Sequence, residues 1–368
     1  MSEPVLVKDR RFIPVAKPWI TDCEIEAASK VVRSGWISAG QQVEEFEHEF
    51  AAAHGKRYGV ACNSGTTALQ LAITAAGVEA GDRVACPTMT MVACPNAIIS
   101  AGGNPFLLDS VPGSGCMDLD EIPARRYRPK AILYVHLYGV PVEFDADTWI
   151  AKAIEDCAEA HYGSFENGSP VGSRGDFACF SFFANKIIAC GEGGMVLTNS
   201  AEDAERMRGL RAHAFTKGEH FHHREHALGV RMTDMQAAIG LSQHRRREQI
   251  IQRRRRIFRQ YMAGPWPDWV RFQWRTPGSA DWVFPILVRE GFGLTRDMVR
   301  QHLGSAGIET RSWFKPMHRQ PHLKRFADGE LFPVADDLAR RGLYLPIYPE
   351  MTDDDVSYVI ETVAAIRA

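Results

Sequence analysis

The chain has 368 residues, 45% of them hydrophobic and 24% charged, with a formal net charge of −2 at pH 7; this is the profile of a soluble globular protein with room for two domains. No charge excess points to nucleic acid or a membrane surface, no apolar run reaches the ~20 residues of a membrane span, and Met1 to Lys8 carry no signal-peptide apolar stretch. The eight cysteines are scattered without a C-x-x-C pair, so they read as small buried hydrophobes in a reducing compartment, and the expected location is the cytoplasm.

Along the chain, Tyr58 to Cys62 reads as a strand, and Thr66 to Ala76 as the helix that follows the turn Asn63-Ser64-Gly65-Thr66-Thr67. Arg83 to Pro87 is a second strand, with a helix near Ala93 to Ala101. Phe106 to Asp109, Ala131 to Val135, Phe177 to Phe180 and Met195 to Thr198 continue the series. Runs that are apolar on both faces and separated by helices predict a mainly parallel sheet covered on two sides. Ligands of such sheets gather at the carboxyl ends of the strands. Asn63, Asp156 and Ser181 all fall just past such ends, so one pocket can serve all three. Met235 to about Tyr261 reads as one long helix carrying Arg245-Arg246-Arg247 and Arg253-Arg254-Arg255-Arg256. Glutamate and glutamine interrupt this basic run and no aromatics interleave it, which favours a solvated helix face over an acidic partner. After Pro265 the texture changes to a strand at Trp282 to Val288, a helix at Thr295 to Ala306 and a last helix at Thr352 to Ile366. The expected division is a large domain with the N-terminal segment over 1–255 and a small α+β domain over 256–368.

The chemistry centres on Lys186, in Phe180-Ser181-Phe182-Phe183-Ala184-Asn185-Lys186, closely followed by Gly191-Glu192-Gly193-Gly194-Met195. A lysine among apolar and small residues, with a serine five positions earlier, suits a Schiff-base amine beside a phosphate-binding hydroxyl. Gly65, Thr66 and Thr67 offer backbone N–H groups and hydroxyls at a helix start, an anion site that Ser181 can complete. Asp156, closing the apolar run before Cys157, is the candidate to hold a proton on a pyridine nitrogen, or else a helix N-cap. Glu159, three residues on, would share its helical face and meet a ring oxygen, or serve as a first-turn acid. Lysine, carboxylate and phosphate cradle together are what a protein must offer pyridoxal 5′-phosphate. Met91 can cover the ring face of that cofactor, although its spacing alone favours a core methionine.

With these residues in view, the chain resembles the pyridoxal-phosphate-dependent nucleotide-sugar aminotransferases of the DegT/StrS type, within them most closely those that form GDP-perosamine. The likeness runs from Phe12-Ile13-Pro14-Val15 almost to the C-terminus. It passes through Gly35-Trp36-Ile37-Ser38, Asn63-Ser64-Gly65-Thr66, Val135-His136-Leu137-Tyr138-Gly139, Glu155-Asp156-Cys157-Ala158-Glu159-Ala160, Arg231 to Leu241 and Gly307-Ile308-Glu309-Thr310-Arg311. The resemblance implies a fold-type-I (aspartate aminotransferase-like) α/β enzyme working as a homodimer with a shared active site. It implies Lys186 as the imine lysine, Asp156 at the pyridine nitrogen, Glu159 at the ring oxygen, and Thr66, Thr67 and Ser181 at the phosphate. It sets aside the related sugar 3-dehydratases, which carry histidine in place of Lys186.

The implied reaction moves an amino group from L-glutamate to a keto sugar on a nucleoside diphosphate, first of all GDP-4-keto-6-deoxymannose. Another keto sugar, or a non-catalytic cofactor-binding protein of the same fold, is the alternative. The sugar-nucleotide site is expected from Trp36 and Ser38, from Arg224 in the His222–Arg224 loop, and from Arg311, Trp313 and His318. Arg311 suits a diphosphate, Trp313 suits stacking and His318 suits donation to an oxygen, against readings as surface arginine, core aromatic and loop histidine. His220, His222, His223 and His226 cluster in sequence, but clustering alone does not supply converging ligands, so no metal is expected. Two departures stand out. Relatives usually carry asparagine, reaching the partner's phosphate, where this chain has Gly229, and commonly an aromatic residue at the ring-covering position, where it has Met91.

Overall fold

The computed structural model describes residues 11–122, 128–144, 151–215, 221–327 and 329–367. The apolar runs form a seven-stranded sheet of β1 (Tyr58–Cys62), β2 (Arg83–Pro87), β3 (Asn104–Leu108), β4 (Ala131–Val135), β5 (Lys152–Asp156), β6 (Phe177–Ser181) and β7 (Gly194–Thr198). Their spatial order is β1-β7-β6-β5-β4-β2-β3. β7 pairs antiparallel with both neighbours, while the other pairings are parallel. Six strands therefore run the same way and end on the same edge.

Side chains alternate across each strand, so the sheet feeds two cores. Val60, Val84, Leu133, Ile154 and Val196 face α3 (Gly65–Ala75), α4 (Ala93–Ser100) and α5 (Ala201–Leu210). Ala61, Ile132, Tyr134, Phe180 and Met195 belong to the other core, with Phe46 and Phe50 of α2 (Gln41–Ala53). Seven cysteines are buried in these layers and all eight are free thiols, but Cys23 is exposed, contrary to the expectation for the whole set.

The expected single helix from Met235 to Tyr261 is two helices, α6 (Asp234–Arg245) and α7 (Arg247–Met262), broken at Arg246. There Arg246 turns its guanidinium onto the buried Glu24 of α1 (Asp22–Ser34), 2.7 Å away, and packs over Trp19. Burial raises the Glu24 pKa, but hydrogen bonds from Thr21 and Ser242 and the Arg246 charge carry it below the ordinary value. The boundary expected at 255/256 falls in the middle of α7.

The second sheet is antiparallel, in the order β10 (Arg311–Ser312), β11 (Gly342–Leu345), β9 (Phe284–Val288), β8 (Val270–Phe272). β9 begins after Trp282, which lies before the strand. Helices α8 (Arg296–Ser305), α9 (Pro333–Arg341) and α10 (Asp353–Ala365) complete this half. The N-terminal segment joins it, since Ile13 pairs with Ile308 and the Ile347 amide donates to the Val15 carbonyl at 3.2 Å.

Trp313 sits at the centre of the C-terminal packing, 2% exposed, with its amide donating to the Gly342 carbonyl at 3.0 Å. A Cβ on Gly342 would stand 2.3 Å from the indole. Gly342→Ala should therefore cost about 1–3 kcal/mol through forced repacking. The measurement is the urea midpoint; an unchanged midpoint would mean that Trp313 has room to move.

Candidate active site

The common edge where β1, β4, β5 and β6 end is where the chemistry-bearing residues meet. β1 runs into Asn63 and Ser64, and Ser64 caps α3 by accepting the Thr67 amide at 3.2 Å. The first N–H groups of α3 lack intrahelical partners by geometry and carry the positive end of the helix dipole. A Cβ on Gly65 would lie 2.7 Å from the Ser181 Cβ, and one on Gly194 would lie 2.2 Å from the Ser64 carbonyl oxygen. Glycine at both positions lets α3 start directly against the ends of β6 and β7. Ser181, the buried last residue of β6, thereby shares one spot with the start of the helix.

Thr66 is exposed at this helix start. Thr67 is placed differently from Thr66, because its hydroxyl donates toward the Asn63 side chain (2.9 Å) and the Ser64 carbonyl (2.8 Å) and accepts from the Ser64 amide. That hydroxyl belongs to the helix cap. The helix-start N–H groups, Thr66 and Ser181 are the other groups that this candidate anion site brings together.

Asp156 ends β5, buried, with its carboxylate accepting from the Ala158 amide at 3.0 Å and from the Cys94 thiol at 3.1 Å. A turn follows it, not a helix, so the helical-face argument linking Asp156 to Glu159 is corrected. Glu159 comes back to the site through that turn and accepts the Tyr138 amide at 2.7 Å. Burial raises its pKa to about 7, against the lowering effect of the Lys186 charge and the Tyr138 N–H.

Lys186 sits in the loop between β6 and β7, its amide donating to the Phe183 carbonyl at 2.9 Å. Burial lowers the pKa of its amine, and the Glu159 and Asp156 charges oppose that shift. An amine with a depressed pKa, facing two carboxyl groups beside an anion cradle, can form and break a bond to a carbonyl carbon and can carry a proton.

Met91 is 51% exposed just before α4, which corrects the core-methionine reading. Trp36 (82% exposed), Ser38 and Arg224 lie in exposed segments, Ser38 accepting the Asp234 amide on its carbonyl at 3.0 Å. Arg311 is exposed and paired with Glu309 at 3.0 Å. Trp313 is a core aromatic, so its expected stacking on a ligand is corrected. His318 is likewise committed, with Nδ1 2.8 Å from the Thr88 hydroxyl and Nε2 3.0 Å from Asp336. No ring nitrogen is left to donate to a sugar oxygen.

Of the clustered histidines, His220 lies outside the described residues, and His223 Nδ1 is 2.7 Å from the His213 carbonyl. Three potential metal ligands do converge elsewhere, at His136, Glu155 and Cys157. There His136 Nδ1 accepts the Val142 amide and Nε2 meets Glu155, while Glu155 also holds the Gly172 and Gly175 amides. This is a buried network that fixes the loop after β5. A Cβ at Gly229 would lie 2.5 Å from His213 Nε2, so the ring of His213 occupies the space beside that departure.

Two site residues escaped the sequence reading. Cys94 resembles any buried cysteine until it is seen on Asp156, and Trp282 resembles a strand aromatic until it is seen on Lys186. The only sequence signal for either is its polar company, Thr90 four residues before Cys94 and Asp281 beside Trp282.

A mainly parallel α/β sheet with a lysine amine, two buried acids and a helix start at its carboxyl edge suits an enzyme of carbonyl chemistry that holds a phosphorylated cofactor. Residues 18–364 match the DegT/DnrJ/EryC1/StrS aminotransferase family, and the chain belongs to it. It is similar to GDP-perosamine synthase of Escherichia coli O157:H7 (35% identity, 96% of this chain and 98% of that one). It is also similar to GDP-perosamine synthase of Caulobacter vibrioides (36% identity, 96% and 98%). Among solved structures, Spr1654 of Streptococcus pneumoniae in its PMP form superposes with a TM-score of 0.89 at 27% identity, over 96% of this chain and 97% of that one.

The raised pKa of Glu159 fixes the sign of a pH effect. A buried carboxyl that ionises near 7 when folded and at its ordinary value of 4.5 when unfolded makes the fold lose stability as pH rises between these values. In the cofactor-free protein Glu159→Gln should therefore be more stable than the parent at pH 8, by up to about 3 kcal/mol, with the gain fading toward pH 4.5. Denaturant melts across that range measure it. A gain of equal size at both ends would deny that Glu159 titrates in this window.

Proposed function

We propose that the protein is a pyridoxal-phosphate-dependent aminotransferase that converts GDP-4-keto-6-deoxymannose to GDP-perosamine with L-glutamate as amino donor. The observation that carries this reading is the Lys186 amine, lowered in pKa by burial and faced by Glu159 and Asp156, on the edge where α3 abuts Ser181. The cofactor fits that site on the structure's own terms. The space next to Ser181 is one that a Cβ at Gly65 would fill, and the first-turn N–H groups face it. Relatives that make GDP-perosamine cover almost the whole chain, which supports the choice of sugar.

When bound, the cofactor supplies an electron sink at the substrate carbon. The residues divide the remaining work. The N–H groups of Gly65 and Thr66 would bind the phosphate together with the Thr66 and Ser181 hydroxyls. Asp156, fixed by the Ala158 amide and the Cys94 thiol, would hold a proton at the pyridine nitrogen. Glu159 would meet the ring oxygen of the cofactor, and Met91 would lie against its ring. Lys186 would hold the cofactor covalently, and its freed amine would carry the proton that moves between carbons. Trp36, Ser38, Arg224 and Arg311 supply the exposed rim for the sugar nucleotide.

A second copy of the chain completes the site. Phe183, Met91, Trp36 and Met235 leave apolar surface exposed around it, which a partner subunit would cover. No helix among the described residues is long and apolar enough to cross a membrane, and the reaction is assigned to the cytoplasm, where nucleotide sugars and glutamate are supplied.

Incubation with glutamate and GDP-4-keto-6-deoxymannose should give a product with the mass of GDP-perosamine. Aminated product from a different keto sugar alone would replace this substrate. Lys186→Ala should lower turnover by roughly five or more orders of magnitude while the fold persists; turnover near that of the parent would remove Lys186 from the reaction. Asp156→Asn keeps the volume and removes the charge, so single-turnover rates should drop more than cofactor retention does. Equal rates would reduce Asp156 to a structural role.

A further inference from the structure

Trp282 touches the Lys186 loop twice, from a distant part of the chain. Its indole Nε1 donates to the Asn185 carbonyl at 2.8 Å, and the centroid of its ring lies 4.2 Å from the Lys186 Nζ. The indole is itself held in place. It is 4% exposed, stacks on Tyr138 and packs at a tilt on Tyr344. Its backbone is anchored as well, because the buried Arg254 donates to the Trp282 carbonyl at 3.0 Å. A rigid aromatic thus reaches across from the segment before β9 to the backbone and the amine of the Lys186 loop.

We propose that Trp282 is the positioning residue of Lys186, its N–H pinning the loop at Asn185 and its ring face receiving the amine whenever that amine is not covalently engaged. The inference rests on the reading of Lys186 as the amine that holds the cofactor. The two contacts act differently. The hydrogen bond fixes the backbone next to the lysine whatever its charge. The ring attracts an ammonium through its quadrupole and has far less hold on a neutral amine. It therefore keeps the freed, protonated lysine beside the site and lets it go when the proton is passed on. The other titratable groups that act on the amine are Glu159, Asp156 and Cys94, with His161 close to the same loop.

Two variants separate these contacts. Trp282→Phe keeps a ring face and loses the N–H, and Trp282→Leu loses both. Two measurements are made on the full-length protein without cofactor: amide hydrogen exchange across residues 183–188, and the pH midpoint for labelling of Lys186 by an amine-reactive reagent, read by peptide mass spectrometry. Exchange of the Lys186 amide should accelerate by roughly 2–10-fold in both variants, the worth of one hydrogen bond. The labelling midpoint should stay close to the parent in Trp282→Phe and fall by roughly 0.4–1.5 pH units in Trp282→Leu, the worth of one cation–π contact. Exchange at the parent rate in both variants, or an unshifted midpoint in Trp282→Leu, overturns the proposal. Pyridoxal 5′-phosphate added to the parent protein provides a separate control. If no absorbance band of a lysine-linked cofactor forms, the functional reading fails, while the exchange and labelling data still decide the role of Trp282.

Discussion

The site depends on one close approach. A helix can offer its first N–H groups to an anion only if nothing stands in front of them, and a strand-end hydroxyl can join them only if the two backbones nearly touch. Gly65 and Gly194 allow both, since a methyl group at either position would collide with Ser181 or with the Ser64 carbonyl. Once α3 starts there, the Ser64 and Thr67 cap fixes its direction, and β6 delivers Ser181 to the same place. The carboxyl ends of β5 and β4 then bring Asp156 and the Tyr138 amide that holds Glu159.

Opposed influences set the reactivity of Lys186. Burial disfavours its ammonium, while Glu159, Asp156 and the face of Trp282 favour it. The same opposition acts on Glu159, which burial pushes toward the neutral acid and Lys186 pulls back. Each group thus shifts the other's proton affinity, a coupling suited to a site that passes protons. The C-terminal half takes part in this balance. Trp282 meets Asn185, and the Ala280 amide donates to Gly139 at 2.8 Å, where a Cβ would lie 2.1 Å from the Ala280 carbonyl oxygen.

Much of this arrangement is legible in the sequence because it follows from local rules. Continuous apolar runs mark the parallel strands, Ser64 before Gly65 marks a helix start, and a small-residue loop around Lys186 marks an unusual lysine. What the sequence does not show depends on distant partners. The break at Arg246 arises from a carboxylate on α1, over two hundred residues earlier. The burial of Trp313 depends on Gly342, and the engagement of both His318 nitrogens depends on Thr88 and Asp336. Residue type made Trp313 and His318 look like ligand contacts. Their neighbours, which no local pattern names, make them part of the packing.

The pairing of the N-terminal segment bears on how the chain is made. Ile13 lies beside Ile308, and Val15 accepts from Ile347, so these early residues find their partners only after the chain has been made as far as residues 308 and 347. At ordinary translation speeds that delay is on the order of tens of seconds. β1 waits as well, because its one neighbour in the sheet is β7. Until then the apolar side chains of Ile13, Val15 and β1 are available to chaperones or to other nascent chains. Residues that brace the folded molecule are thus, during synthesis, exposed apolar surface.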